Sequence, residues 1–153
     1  LASSSAASDV YKRQVIRSLI KKSAIVICCG GGGIPVVKKG DYYHGVPAVI
    51  DKDRLSSLLA IEMEVDALVI STAIDAVRTG FGTEDEEIHT GISVAEAEKS
   101  PNKGEFPSGS LGPKIDSLIE FAKSRAGAKS VLCQPGDALK ALRGDGGTTI
   151  FVD

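Results

Sequence analysis

The chain has 153 residues, 42% hydrophobic and 25% charged, with a formal net charge of −2; this is the composition of an ordinary globular domain with one core. Such a balance argues against nucleic acid or an acidic membrane surface as the main partner, since both select basic stripes, and no apolar run approaches the roughly 20 residues that span a bilayer. Three cysteines, two of them adjacent at Cys28 and Cys29, read as buried reduced thiols of a cytoplasmic protein, while His44 and His89 stand apart without the clustered ligands of a zinc site.

The first fourteen residues, LASSSAASDVYKRQ, are rich in Ser and Ala, lack periodicity and have no signal-peptide core. They look like a translated adaptor, so the native frame is expected to enter near Val15. The stretch 15–22 has helical spacing at Val15, Leu19 and Ile20 and ends in lysines, which suits a helix C-terminus. AIVICC (24–29) is a continuous, β-branched apolar run, the pattern of a strand buried on both faces. Gly30, Gly31, Gly32 and Gly33 follow, and then KKGDYYHGVP, which predicts a hairpin or small excursion. From Asp51 the period changes: Leu55, Leu58, Leu59 and Met63 mark one helical face. DALVIST (66–72) predicts a second buried strand, AIDAVRTGFGTEDEE a polar loop, and SVAEAEKS a short helix opened by a Ser–Glu capping box. A Gly/Pro/Ser loop at 102–113 precedes a helix striped by Ile115, Leu118, Ile119 and Ala122, ending near Gly127. KSVLC, PGDALKALRG and TTIFV then predict strand, helix and strand. The alternation specifies one α/β domain, or part of one, with a mostly parallel sheet.

In such sheets ligands bind beyond the carboxyl ends of the strands. The Gly30–Gly33 loop, the Thr72–Gly82 loop and the turn after Cys133 are expected at that edge. Neither standard phosphate motif is met, because the glycine run lacks a Gly-Lys-Ser/Thr ending and fails the G-x-G-x-x-G spacing. The glycines alone therefore leave open a close backbone approach or a simple flexible turn. Lys52 and Lys114 each fall in the first turn of a predicted helix, where the macrodipole disfavours a cation by about 0.3–1 kcal/mol. Two such placements beside glycine-rich loops suggest a shared anion; the alternative is that both lysines point into solvent. Helix amides with a lysine form a natural phosphate site. Asp53 would orient the ammonium or a metal-bound phosphate, or else be a favourable first-turn carboxylate, and TEDEE (83–87) reads as a solvated acidic face. Phosphoryl transfer is the reaction class that best suits this set, since it needs positioning and charge neutralisation rather than a covalent nucleophile.

CGGGGIPVV, GVPAVIDKD, FPSGSLGPK and ALRGDGGTTI, in this order from about Val15 to Asp153, resemble successive signatures of the carbamate kinases, within the amino acid kinase superfamily. The resemblance implies a three-layer αβα sandwich around a mainly parallel sheet, a cytoplasmic homodimer, and interconversion of ATP and carbamate with ADP and carbamoyl phosphate, using Mg²⁺ carried by the nucleotide with no direct protein ligand. It also implies a place in catabolism, such as arginine fermentation through citrulline. By position, Lys52 matches the lysine that neutralises the transferring phosphoryl group, Lys114 the one that contacts the nucleotide phosphates, and Asp53 the aspartate that organises them. Gly30 to Gly33, Ser71, Thr72, Ile74, Asp75, Phe81, Gly109, Ser110, Leu111 and Gly112 fall on nucleotide-holding segments.

Two departures from the family pattern stand out. VRTGFG (77–82) carries Arg78 and Gly80 where the family commonly has an aromatic and an amide, so packing around the base is expected to differ. The family's N-terminal half, with its Gly-Gly-Asn loop and lid subdomain, has no counterpart in these residues. The chain is thus expected to hold the nucleotide half of the site, to be inactive alone, and to expose apolar surface and an unpaired sheet edge. Another amino acid kinase, or a nucleotide-binding module without catalysis, are the alternative readings.

Overall fold

A computed structural model describes residues 6–80, 82–99 and 111–153. The chain divides into two compact units, one running to Leu59 and the other from Ala60 to Asp153.

In the first unit, helix α1 covers Ala6–Lys21, so the helix predicted from Val15 begins nine residues earlier, inside the stretch set aside as leader. It closes at Ser23, which takes a left-handed φ of 59° while its amide donates to the Ile20 carbonyl and the Ala24 amide to that of Leu19. The following run, 24–29, forms no strand and joins none of the described sheets, contrary to the strand expected there. Ile25 and Ile27 are both 97% exposed. The apolar pattern asks for cover on both faces and a ladder partner on each edge, and no described segment supplies either. Val15, Leu19 and Ile20 also stay about half exposed, so the expected uncovered apolar surface lies in this unit. The hairpin prediction holds: β1 (Val36–Lys39) pairs antiparallel with β2 (Tyr42–Gly45). The turn between them uses Gly40 at φ 59°, a conformation that carries little steric cost only for glycine. Helix α2 spans Lys52–Met63, started by Asp51, whose Oδ1 accepts the Asp53 and Arg54 amides at 2.8 and 3.3 Å. That is the N-cap geometry. Leu58, assigned by spacing to the inner face, is exposed, and Ser57 is buried in its place.

The second unit is built on a four-stranded sheet of order β3-β7-β8-β6, where β3 is Ala67–Ser71, β6 Gly91–Ser93, β7 Lys129–Cys133 and β8 Thr148–Phe151. The β3–β7 and β6–β8 pairs are parallel and β7–β8 is antiparallel, giving a mixed, mainly parallel sheet. The period of two along a strand sorts the side chains into two layers. Leu68, Ile70, Leu132 and Ile150 join Ile115, Leu118, Ile119, Phe121 and Ala122 of helix α4 (Leu111–Ser124) in the main core, with Ala60. Val69, Val131 and Cys133 face the other way and pack with Ala138, Ala141 and Leu142, on or beside helix α5 (Ala138–Arg143). Helix, sheet and helix therefore form the three layers expected. α4 hands directly into β7 through residues 125–128, so it runs back along the sheet and its first turn stands at the carboxyl end of β3 and β7.

Two elements arise where a loop was expected. β4 (Val77–Thr79) pairs antiparallel with β5 (Glu87–His89), and β6 follows at once. Strands of three residues are too short for an alternating pattern to register, which is why they read as loop. The predicted capping box is present at the start of α3 (Val94–Lys99): the Ser93 amide donates to Glu96 Oε2 at 2.9 Å and the Glu96 amide to Ser93 Oγ at 3.2 Å. The Ser93 amide bond is the main cause that lowers the Glu96 carboxyl from its usual range.

Candidate functional site

In the first unit the glycine loop is packed onto the start of α2. Gly32 has φ 139°, and a Cβ there would stand 2.1 Å from the Ile50 carbonyl oxygen, with the Lys52 amide nitrogen 3.9 Å away. A Cβ on Gly33 would touch the Ile50 side chain. Gly30 turns through φ 46°, and the Gly32 amide donates to the Cys29 carbonyl at 3.1 Å. Of the two readings left open for these glycines, the close approach is the one observed, and the group approached is the backbone that leads into Lys52. Gly31 has open space around it and no positive φ.

Lys52 opens α2, 57% exposed, with its Nζ 3.6 Å from Asp53 Oδ2, whose side chain is only 13% exposed. The placement is electrostatically uphill for the ammonium, because the helix N-terminus is the positive end. Asp53, half-sunk beside it, offsets that cost and limits where the ammonium can go. Cys28 is exposed and Cys29 partly so, and both are free thiols; the burial expected of them follows the fate of the unpaired 24–29 run.

In the second unit the remaining described candidates gather at the carboxyl edge of the sheet. Ser71 ends β3, and the Thr72 amide extends the pairing by donating to the Cys133 carbonyl at 2.9 Å. Ile74 packs on the main core that includes Leu111 and Ile115. Gln134 Nε2 reaches across to the Ala73 carbonyl at 3.3 Å, which ties the turn after β7 to the loop after β3. Leu111, Gly112 and Lys114 form the first turn of α4 at the same edge. Lys114 is 7% exposed, so the alternative in which both lysines point into solvent fails for this one. Phe81, Gly109 and Ser110 lie outside the described residues.

The sequence flagged Arg78 as a departure; the fold gives it two partners. Its Nη2 donates to both carboxylate oxygens of Asp75, at 3.0 and 2.8 Å, and its Nη1 to Glu86 Oε1 at 2.7 Å. Glu86 Oε2 in turn accepts the Gly82 amide at 3.0 Å. Arg78 holds the Asp75 carboxyl below its ordinary range, and the Gly82 amide, followed by Arg78, does the same for Glu86. TEDEE is thus exposed but not merely solvated. Gly80, at φ 61°, is required by the turn, since a Cβ would meet the Asp85 carbonyl oxygen at 2.6 Å. The clasp fixes the β4–β5 hairpin to the loop leaving β3, and Asp75 belongs to both.

Each unit therefore presents a helix start carrying a lysine, and in the first a glycine loop comes close to that start, an arrangement suited to phosphate oxygens. The amino acid kinase family profile matches residues 3–133. Carbamate kinase of Halobacterium salinarum is 42% identical over 142 residues, 93% of this chain and 46% of that protein, and carbamate kinase of Clostridium perfringens is 38% identical over a similar span. Among solved structures, carbamate kinase from Giardia lamblia bound to AMP-PNP superposes with a TM-score of 0.81 at 37% identity, covering 93% of this chain and 50% of that one. The chain spans about half the length of the curated relatives it matches. On the profile match and the shared three-layer architecture, the chain belongs to the amino acid kinase family.

Proposed function

We propose that this chain carries the nucleotide-binding part of a carbamate kinase, which moves a phosphoryl group reversibly between carbamoyl phosphate and ADP. The observation that carries the reading is the seating of Gly32 against the Ile50 carbonyl at the first turn that bears Lys52 and Asp53. The kinship to proteins named carbamate kinase selects the acceptor.

In the proposed reaction the bond between phosphorus and the carbamate oxygen breaks, and one forms to a terminal phosphate oxygen of ADP. No general base is needed, because the ADP oxygen and the departing carbamate are both anionic. What the protein supplies is placement and positive charge where negative charge spreads over the transferring oxygens. Lys52 is assigned to the transferring group, Lys114 to the nucleotide phosphates, and Asp53 to orienting the Lys52 ammonium. Ser71, Thr72, Ile74 and Asp75, with Leu111 and Gly112, are assigned to the nucleotide. Mg²⁺ would be carried by the nucleotide phosphates with no direct protein ligand, and Asp53 would help to orient the lysines and the Mg-nucleotide. The active form is proposed as a cytoplasmic homodimer.

The test is ATP formation from carbamoyl phosphate and ADP, by this chain alone and by the chain joined to the remaining half of a carbamate kinase. The expected result is turnover by the joined protein and little or none by the chain alone. Robust turnover by the chain alone would overturn the assignment of only half the site to it. Calorimetric titration with ADP, with and without Mg²⁺, separates a binding module from a protein without nucleotide function.

A further inference from the structure

The phosphoryl-transfer reading leaves two reactive groups unused, the thiols of Cys28 and Cys29. In a regular extended segment successive side chains leave on opposite faces, which would hold neighbouring sulfurs apart. Here Cys29 takes a left-handed φ of 67°, and the chain turns so that its carbonyl receives the Gly32 amide. That turn brings the two Sγ atoms to 4.0 Å. Cys28 is exposed and Cys29 partly so.

We propose that Cys28 and Cys29 form a chelating dithiol site for trivalent organoarsenicals, which close a ring through both sulfurs. A pyramidal three-coordinate arsenic holds its two sulfurs somewhat closer than the observed 4.0 Å, a gap that rotation about the Cys28 and Cys29 side-chain bonds closes. The pair is poorly arranged for its own disulfide, because consecutive α-carbons are about 3.8 Å apart where disulfides prefer about 4.4–6.8 Å. Two sulfurs do not fill the shell of a four-coordinate metal, and no cluster of three or more His, Cys, Asp or Glu stands together among the described residues. A ligand whose third position already holds an aryl group fits the two donors available.

The chemistry balances without any oxidant. An aryl arsenoxide, hydrated to its dihydroxy form, exchanges two As–O bonds for two As–S bonds. The thiol protons leave with the two hydroxyls as two waters, and neither arsenic nor sulfur changes oxidation state. Burial first, then the neighbouring Cys28, pushes the Cys29 thiol up to about 11, which makes it a sluggish target for alkylating reagents. Entry through the exposed Cys28 followed by ring closure recruits Cys29 all the same. Because Cys29 runs directly into Gly30, the ring would stiffen the glycine loop at its base.

The experiment is titration of the reduced full chain with phenylarsine oxide, read by intact mass and by counting the remaining free thiols. The expected result is one adduct per chain with loss of two of the three thiols, reversed by a dithiol such as 2,3-dimercaptopropanol but not by excess monothiol. Cys28→Ser and Cys29→Ser should each weaken retention by about a hundredfold, since the second bond forms within one molecule, while Cys133→Ala should change nothing. Cys28→Ser leaves the left-handed turn intact, and circular dichroism checks that the variants fold. An adduct that consumes one thiol, survives in Cys28→Ser, or fails to form on the native chain would overturn the proposal.

Discussion

Gly32 lies under the Ile50 carbonyl so closely that a Cβ would stand 2.1 Å from the oxygen. A Gly32→Ala substitution must therefore push the loop away from the start of α2, besides adding side-chain strain at φ 139° of roughly 1–3 kcal/mol. The expected outcome is loss of ADP affinity by tenfold or more on the order of 1.4 kcal/mol, with Gly31→Ala, which has open space around it, close to the parent. Calorimetry on both variants checks it; equal affinities would remove Gly32 from the residues proposed to hold the nucleotide.

Lys52 and Lys114 differ in setting, one exposed beside Asp53 and one buried, yet are assigned to the same charge neutralisation. Replacing either with Met, which keeps the aliphatic stem, should lower turnover of the joined enzyme by about a hundredfold or more. Lys114→Met should also weaken ADP binding, whereas Lys52→Met should act mainly on the rate. Steady-state kinetics with ADP as the varied substrate separates the two. Near-parental turnover in both would refute the roles.

The Arg78 clasp predicts a dependence on acid. Asp75 and Glu86 have carboxyl groups lowered from their ordinary 3.8 and 4.5 by the Arg78 bonds and the Gly82 amide. A carboxylate with a depressed folded pKa contributes stability that is present above its unfolded value and is lost as pH falls through the folded one. The native chain should thus lose thermal stability below about pH 4.5, and Arg78→Ala should lose less over the same window because it starts without the pairs. High salt at near-neutral pH should narrow the gap between the two, since exposed ion pairs are screened. Parallel acid profiles for both proteins would show that the clasp does not hold the hairpin.

These relationships divide by how far along the chain they reach. Ser93 and Glu96 announce their capping box because both partners fall within one turn. β3 and β7 are equally plain, since a short apolar run rich in Val, Leu and Ile must be covered on both faces and each finds a helix there. The run 24–29 carries the same pattern and is left bare, because a pattern records what a segment needs and not whether a neighbour meets the need. The site follows the same logic. Lysines in first turns and a glycine run are visible as composition, so Lys52, Asp53 and Lys114 could be singled out as candidates. The contact that explains Gly32 is with Ile50, eighteen residues on, and Arg78 closes on Glu86 across a hairpin whose strands are too short to be read. Neither has a local signature.

Thr148 carries a longer-range bond of the same kind, and its loss should be costly. Its side chain is fully buried; its Oγ1 accepts the Val77 amide at 2.8 Å and donates to the His89 carbonyl at 2.6 Å. One hydroxyl on β8 thus joins both strands of the β4–β5 hairpin to the central sheet. Thr148→Val keeps the shape but strands these two backbone groups away from water, at about 1–3 kcal/mol for each group left unpaired. Thr148→Ser keeps the hydroxyl and should cost less, about the value of the lost methyl contacts, on the order of 1 kcal/mol. Urea unfolding checks the order, with a lower midpoint and unchanged slope expected for Thr148→Val. Hydrogen exchange adds a local readout: the Val77 amide should lose protection in Thr148→Val and keep it in Thr148→Ser. If the two variants were equally stable and equally protected, packing rather than the hydroxyl would be what secures the hairpin to β8.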